Sequence, residues 1–160
     1  MKDLLREMFY GFIAIAMFIE LIGGDLYCLL FAIDRVALLL EITEELAVQH
    51  MLVLSVWNGM AAIGSAMVCY CLRNPQYVQT RRWGLVLTAT GLVAYAAYQF
   101  WFAGNKLGDF GIWIQGISLI YGAFGLGTIW YGMELFRSDW EPKQPVQRER
   151  ADDTLTMQSL

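Results

Sequence analysis

Charged side chains are scarce in this sequence: they make up 16% of the 160 residues, whereas 58% are hydrophobic. A soluble domain carries about a quarter charged residues. The chain also has one histidine and three cysteines, without a Cys-x-x-Cys pair, which disfavours a structural zinc site, a bis-histidine haem site and thiol–disulfide chemistry. No nucleophile with a nearby base and no phosphate-binding loop is recognisable. We therefore expect a protein that is not an enzyme and has neither a metal nor a cofactor.

Long apolar runs take the place of the missing charge. Three runs contain no Asp, Glu, Lys or Arg, and a fourth, near the N-terminus, contains only Glu20 and Asp25. Each run exceeds the length of about 20 residues that a helix needs to cross a hydrocarbon core of about 30 Å. The sequence predicts an all-α membrane protein, in which one domain at 1–137 forms a four-transmembrane-helix bundle. The predicted helices lie at about 8–31, 44–72, 83–103 and 110–134.

The segment between the first two predicted helices is too charged to span a bilayer and too apolar for a free loop. Its apolar residues recur at helical spacing, which predicts a short amphipathic helix on the outer membrane surface. Thr43 before two glutamates indicates that the second helix begins near residue 44. Two ends of the first helix remain open, one near Gly23 and one near Ile33. The polar tail at 138–160, rich in charge and proline, is expected to be disordered alone.

The basic residues are distributed unevenly between the two predicted sides. Only Arg35 and Lys106 fall in the loops assigned to the outer side. The positive-inside rule therefore places both termini in the cytoplasm of a multi-pass protein of the cell inner (plasma) membrane. The nine residues on the other side are Lys2, Arg6, Arg73, Arg81, Arg82, Arg137, Lys143, Arg148 and Arg150.

Small residues recur every three or four positions in the last three predicted helices. Such stripes let membrane helices approach closely, because lipid provides no hydrophobic drive for association and van der Waals contact must provide it. The stripes predict a left-handed bundle, and part of this small surface could face another subunit. The helix-packing positions are Gly59, Ala62, Ala66, Gly84, Gly91, Ser118, Gly122 and Gly125.

Glu20 lies inside the first apolar run. An ionisable side chain at mid-bilayer costs about 2.5 to 3.5 kcal/mol on insertion scales, so we expect it to face the bundle and, with no embedded base, to hold a proton. Polar residues at comparable depth predict its partners: Asn58, Tyr98, Gln99 and Gln115. Two interpretations stay open. Glu20 either provides a structural hydrogen bond between helices or forms a proton or cationic-ligand site.

Two local patterns resemble known families. FIELIGG at 18–24 and VWNG at 56–59 are similar to parts of the small multidrug resistance transporters, which implies a glutamate that exchanges protons for cations. The succession LLFAIDRVALLL, WNGMAAIGSAM and CLRNPQYVQTRRWGLVL resembles the layout of small bacterial DoxX-like four-helix proteins. That resemblance implies a fold and an inner-membrane location without an activity.

Two functions follow as expectations. The first is a non-catalytic accessory or scaffolding subunit of a larger membrane complex, with the lipid bilayer, a protein partner or further copies of the chain as its partners. The alternative is a small proton-coupled transporter or hydrophobic-ligand-binding protein that uses Glu20. Neither function involves a nucleic acid.

Overall fold

A computed structural model describes residues 2–106 and 110–140 of the chain. Within these ranges the backbone is helical almost throughout and forms no strand. The elements are α1 (Lys2–Ile19), a π-helical segment (Glu20–Leu26), α2 (Tyr27–Phe31), α3 (Ile33–Leu39), α4 (Glu44–Arg73), α5 (Val78–Lys106) and α6 (Phe110–Trp140).

Four helices in the described ranges are long and apolar enough to cross a membrane. The first is composite, because α1, the π-helical segment and α2 follow one another as a single span, Leu4–Phe31. The other three are α4, α5 and α6. This result agrees with the helical class and the number of spans expected from the apolar runs.

The first span continues through the Gly23–Gly24 pair and ends at Phe31. The chain bends at Ala32, whose φ of −143° and ψ of 24° are not helical. Of the two ends left open by the sequence, the structure therefore has the later one. Other bounds differ from expectation: α5 begins at Val78 instead of 83, and α6 extends to Trp140.

The short helix α3 occupies the position of the predicted amphipathic helix. Ala37 and Leu40 are buried on one side, whereas Leu38 and Leu39 are 81% and 71% exposed. After α3 the chain turns, and Thr43 caps α4 by accepting a hydrogen bond from the Leu46 amide at 3.3 Å. The predicted disorder of the tail concerns residues that, from 141 onward, lie outside the described ranges.

Helices α4 and α5 pack backbone against backbone through glycines. A Cβ atom on Gly91 would lie 2.6 Å from the Ala61 amide nitrogen, and one on Gly84 would lie 2.9 Å from the Gly64 carbonyl oxygen. Distances below 3.0 Å leave no room for a side chain. Two positions of the predicted helix-three stripe thus lie at the closest helix contact.

The remaining predicted packing positions vary in their surroundings. Gly125 lies tightly against Val93, and Gly122 and Ser118 also lie towards α5 or the interior. Ala62 is buried in the core, but Ala66 is exposed and lines a groove of ≈390 Å³ between α1 and α4. A Cβ atom on Gly59 would make an ordinary contact of 3.8 Å with Leu21.

One helix pair is held differently from the rest. Among the described residues, Cα atoms come within 8 Å between α1 and α4, between α4 and α5, and between α5 and α6, but not between α1 and α6. Long side chains bridge this wider α1–α6 seam. They form the ring pairs Phe9–Phe124 (5.6 Å between centroids) and Tyr10–Tyr131 (6.0 Å), and the ion pair Arg6–Glu134 (3.8 Å).

We predict that Gly91→Ala lowers the free energy of unfolding by about 1 to 3 kcal/mol, the usual cost of overpacking. Its Cβ would collide with the α4 backbone, which cannot move aside as a side chain can. Thermal unfolding of the detergent-solubilised protein measures the effect.

Gly59→Ala is the matched control, because its Cβ meets only the end of a leucine side chain. It should leave the protein as stable as the wild type or slightly more so, given the better helix propensity of alanine. Equal melting of the two variants would contradict close α4–α5 packing at Gly91.

Candidate functional site

The site is built on the π-helical segment, which carries both acids of the first span. In a π-helix the hydrogen bonds join residues five apart, so Glu20 and Asp25 are stacked one turn above the other on the same side. In an α-helix, residues three and four apart share a face. Single π turns within α-helices occur frequently at functional sites. Here the π turn directs the carboxyl groups of Glu20 and Asp25 towards the interior of the bundle.

Glu20 accepts a hydrogen bond on each of its carboxyl oxygens. The Tyr95 hydroxyl of α5 donates to Oε1 at 2.7 Å, and the Tyr121 hydroxyl of α6 donates to Oε2 at 2.9 Å. The two rings contact each other edge to face, with centroids 5.0 Å apart. Glu20 therefore joins three helices, and its bond to Tyr121 crosses the α1–α6 seam.

Asp25 is the more deeply buried of the two acids, with 5% of its surface exposed. Its Oδ2 accepts a hydrogen bond of 2.7 Å from the side-chain amide of Asn58, which is itself fully buried in α4. The charge of Asp25 is also within electrostatic range of Glu20. We call Glu20 and Asp25 together the carboxyl pair.

Two amide oxygens beside the carboxyl pair have no hydrogen-bond partner. They are Asn58 Oδ1 and Gln99 Oε1, and both are buried. The Gln99 amide nitrogen donates to the Tyr95 hydroxyl at 3.4 Å, so Gln99 is linked through Tyr95 to Glu20. Buried polar atoms in proteins nearly always have a partner. Two such acceptors in one cluster mark a place that lacks a donor or a cation.

Neutral groups alone hold the carboxyl pair in the described part of the chain. The hydrogen-bond donors are two tyrosine hydroxyls and one amide. The ion pairs Arg6–Glu134 and Arg73–Glu7 lie near the opposite end of the span, where α4 ends. Burying a carboxylate without a counter-charge is costly. The site is therefore suited to a proton or another cation.

The single histidine lies beside the site without joining it. His50 Nδ1 is 3.1 Å from the Tyr98 hydroxyl, and its ring stacks on Phe102 at 3.8 Å between centroids. Tyr98 was expected to be a partner of Glu20, but its described hydrogen bond is with His50. Gln115, also expected there, donates instead to the Phe100 carbonyl oxygen at 3.3 Å.

Sequence reasoning named part of this cluster. Glu20, Asn58 and Gln99 were predicted together, and the described hydrogen bonds link Gln99 to Glu20 through Tyr95, and Asn58 to Asp25. Asp25, Tyr95 and Tyr121 were not among the predicted site residues. Asp25 follows the two glycines that suggested one of the two possible ends of the first helix. The available signal was the spacing of five residues between the two acids, which a π turn places on one side.

We predict that Asn58→Leu lowers the free energy of unfolding by about 1 to 3 kcal/mol, because it removes the hydrogen-bond donor from a buried carboxyl group. Leucine has the same branching and the same number of side-chain heavy atoms as asparagine, although its methyl groups are larger. Chemical or thermal unfolding in detergent measures the difference.

Asn105→Leu provides the control of the same chemistry. Asn105 is exposed near the end of α5, and its amide donates to the Trp101 carbonyl of its own helix at 2.7 Å. Its substitution should change stability by no more than about 0.5 kcal/mol. A similar loss of stability in both variants would show that the Asp25–Asn58 hydrogen bond contributes no more to folding than an exposed one.

Comparison of the chain with protein-family models, curated proteins and solved structures gave no match. The resemblances of residues 18–24 and 56–59 to small multidrug resistance transporters, and of the overall layout to DoxX-like proteins, therefore remain expectations. What the site can do is argued from its own geometry.

Proposed function

We propose that this chain is a small, non-catalytic membrane protein that binds a cationic ligand in exchange for protons at Glu20 and Asp25, as a proton-coupled transporter does. The observation that carries the proposal is the carboxyl pair itself. Two acids share one turn inside an apolar span and have only neutral hydrogen-bond donors. Ionisable side chains inside apolar spans are rare and costly, and they often mark functional sites.

The chemistry follows from the cost of charge in a low dielectric. Two neighbouring carboxylates repel each other, and burial penalises both charged forms. Protons neutralise the pair when no cation is present. A cationic ligand that approaches the pair stabilises the carboxylates and displaces protons. Binding of the ligand and release of protons are therefore two sides of one equilibrium.

The α1–α6 seam supports a route to the pair. Side chains alone close this seam, and side chains change rotamer faster than packed helices separate. At the end of the seam near the N-terminus of α1, α1 and α6 line a groove of ≈330 Å³ that includes Phe9, Tyr131 and Glu134. Further along the seam towards Glu20 lie Phe124 and then Tyr121. Aromatic faces along the path suit a cation. At the mouth, the Arg6 guanidinium already occupies the Tyr131 face, 4.5 Å from the ring centroid, and pairs with Glu134.

The membrane setting of this proposal rests on the four apolar helices and the distribution of basic residues. We place both termini in the cytoplasm and the chain in the inner (plasma) membrane, because nine of the 11 basic residues fall on one side. With this orientation the α1–α6 groove opens towards the cytoplasm, and Asp25 lies nearer the outer side.

The test uses infrared difference spectra between acid and alkaline pH, and proteoliposomes that contain a trapped pH indicator. We predict that the wild type shows protonated-carboxyl bands that are reduced in Glu20→Gln and in Asp25→Asn. In acid-loaded vesicles, external Na⁺ or guanidinium should accelerate proton efflux at least about tenfold over protein-free vesicles, and Glu20→Gln should remove this acceleration.

Asp34→Asn is the matched control, because Asp34 is exposed on α3 and lies outside the four spans. It should keep both signals. A wild type without any protonated-carboxyl band, or a Glu20→Gln variant with normal efflux, would overturn the proposed function.

A second candidate function is the accessory or scaffolding role expected from the sequence, and one observation favours it. Ala123 and Gly127, four residues apart, are exposed on α6, and a Cβ atom on Gly127 would meet nothing within 4 Å. Small residues at this spacing let a further membrane helix approach closely. This face would accept a partner subunit or a second copy of the chain.

Ala123→Leu should disrupt such an assembly by blocking the approach of a second helix, from an exposed position that does not line the α1–α6 groove. Mass measurement of particles extracted with their native lipids would show the loss. Gly116→Leu, on the same helical face about two turns away, shows how far along α6 this contact extends. A monomeric wild type that co-purifies with no other protein would rule out this role.

A further inference from the structure

The orphan amide oxygens of the carboxyl pair point to a specific class of cation. Asn58 is 0% exposed and Gln99 is 9% exposed, and the side-chain oxygen of each has no hydrogen-bond partner. The amide nitrogen of Asn58 donates to Asp25, and that of Gln99 donates to Tyr95, which in turn donates to Glu20. We propose that an alkali-metal cation, with Na⁺ as the probe, binds here, held by Asn58 Oδ1, Gln99 Oε1 and the carboxylate oxygens of Asp25 and Glu20. This inference rests on the proposed function and names its ligand.

The donor set consists entirely of oxygen atoms. Carboxylate, amide and carbonyl oxygens suit hard cations, whereas thiolate and imidazole groups suit zinc, copper and iron. Among the described residues, no group of three or more His, Cys, Asp or Glu side chains could hold a metal ion. A divalent or transition-metal site is therefore disfavoured. A singly charged ion needs fewer anionic ligands and accepts neutral amide oxygens.

Charge balance supports a monovalent ion together with one proton. The pair carries two negative charges when both carboxyls are ionised, and one Na⁺ with one proton neutralises it. The second proton leaves when the ion enters. Neutral side chains surround this exchange on the other elements: Asn58 on α4, Tyr95 and Gln99 on α5, and Tyr121 on α6. His50, the nearest imidazole on α4, bonds to Tyr98 instead.

Burial favours a small ligand over a large one. Both orphan oxygens are enclosed, so a bare ion fits against them better than an organic cation does. The groove of ≈390 Å³ beside α1 is lined by apolar residues such as Ile15, Phe18 and Ile63, and offers no charge to an organic cation. A water molecule would also satisfy two amide oxygens, and the experiment separates these occupants.

The experiment needs only the intact, detergent-solubilised protein for its first step. Wild type in a weakly buffered choline chloride solution receives NaCl, KCl or more choline chloride at equal ionic strength. We expect NaCl to release close to one proton per chain and to raise the melting temperature, and choline to do neither. Lower pH should weaken Na⁺ binding by up to about tenfold per pH unit, since a proton competes with the ion.

A pair of glutamine variants locates the ion. Gln99→Met preserves volume, removes one orphan oxygen and should weaken Na⁺ binding about tenfold, whereas Gln115→Met, whose amide bonds to the Phe100 carbonyl outside the cluster, should not. Sodium-23 NMR or calorimetry measures the affinity, and size-exclusion profiles verify folding. Equal responses of the wild type to NaCl and choline would overturn the inference and leave water as the occupant.

Failure of this inference is distinguishable from failure of the proposed function. If infrared bands of Glu20 and Asp25 respond to pH and to organic cations but not to alkali salts, the carboxyl pair binds protons and the ion assignment is wrong. If the bands are absent, both proposals are overturned together. Binding of Na⁺ that survives both Gln99→Met and Glu20→Gln would place the ion elsewhere and contradict the inference.

Discussion

Neutral hydrogen bonds to the carboxyl pair are the constraint on which the rest of this structure depends. An apolar span cannot hold Glu20 and Asp25 unless other helices offer donors at the same depth. Tyr95, Tyr121 and Asn58 provide them from α5, α6 and α4. These bonds fix the rotation of the first span against its three neighbours. The hydrogen bonds that the buried acids require therefore also set the orientation of the first span, which contacts between small apolar residues alone would leave poorly defined.

Close packing and the carboxyl pair divide the bundle into two parts. The α4–α5 contact is a close backbone interface, because Gly64, Gly84 and Gly91 leave no space for a side chain between the two helices. The α1–α6 seam is instead closed by rings and long side chains. Asn58 and Tyr95 therefore lie on the close-packed helix pair, while Glu20 and Tyr121 bond across the side-chain seam. The function proposed above places the ligand's route at that seam, where no backbone contact has to be broken.

The sequence predicted the number of spans and the inward direction of Glu20, because both follow from the cost of polar groups in an apolar solvent. Depth along the helices identified Asn58 and Gln99. Depth does not give the rotation of a helix about its axis, so Tyr98 was chosen where Tyr95, three residues earlier, makes the contact. Asp25 could not be found with a period of 3.6 residues, since the π turn changes that period only where it occurs.

The π-helical segment also sets the register between the two acids. Glu20 is its first residue, next to α1, and Asp25 is its last but one, next to α2. If the turn tightened to bonds between residues four apart, every later side chain would shift by one place, about 100° around the axis. Asp25 would then turn away from Asn58 while Glu20 kept its tyrosines. The contact between Asp25 and Asn58 therefore depends on a single extra residue in the turn, whereas the contacts of Glu20 do not.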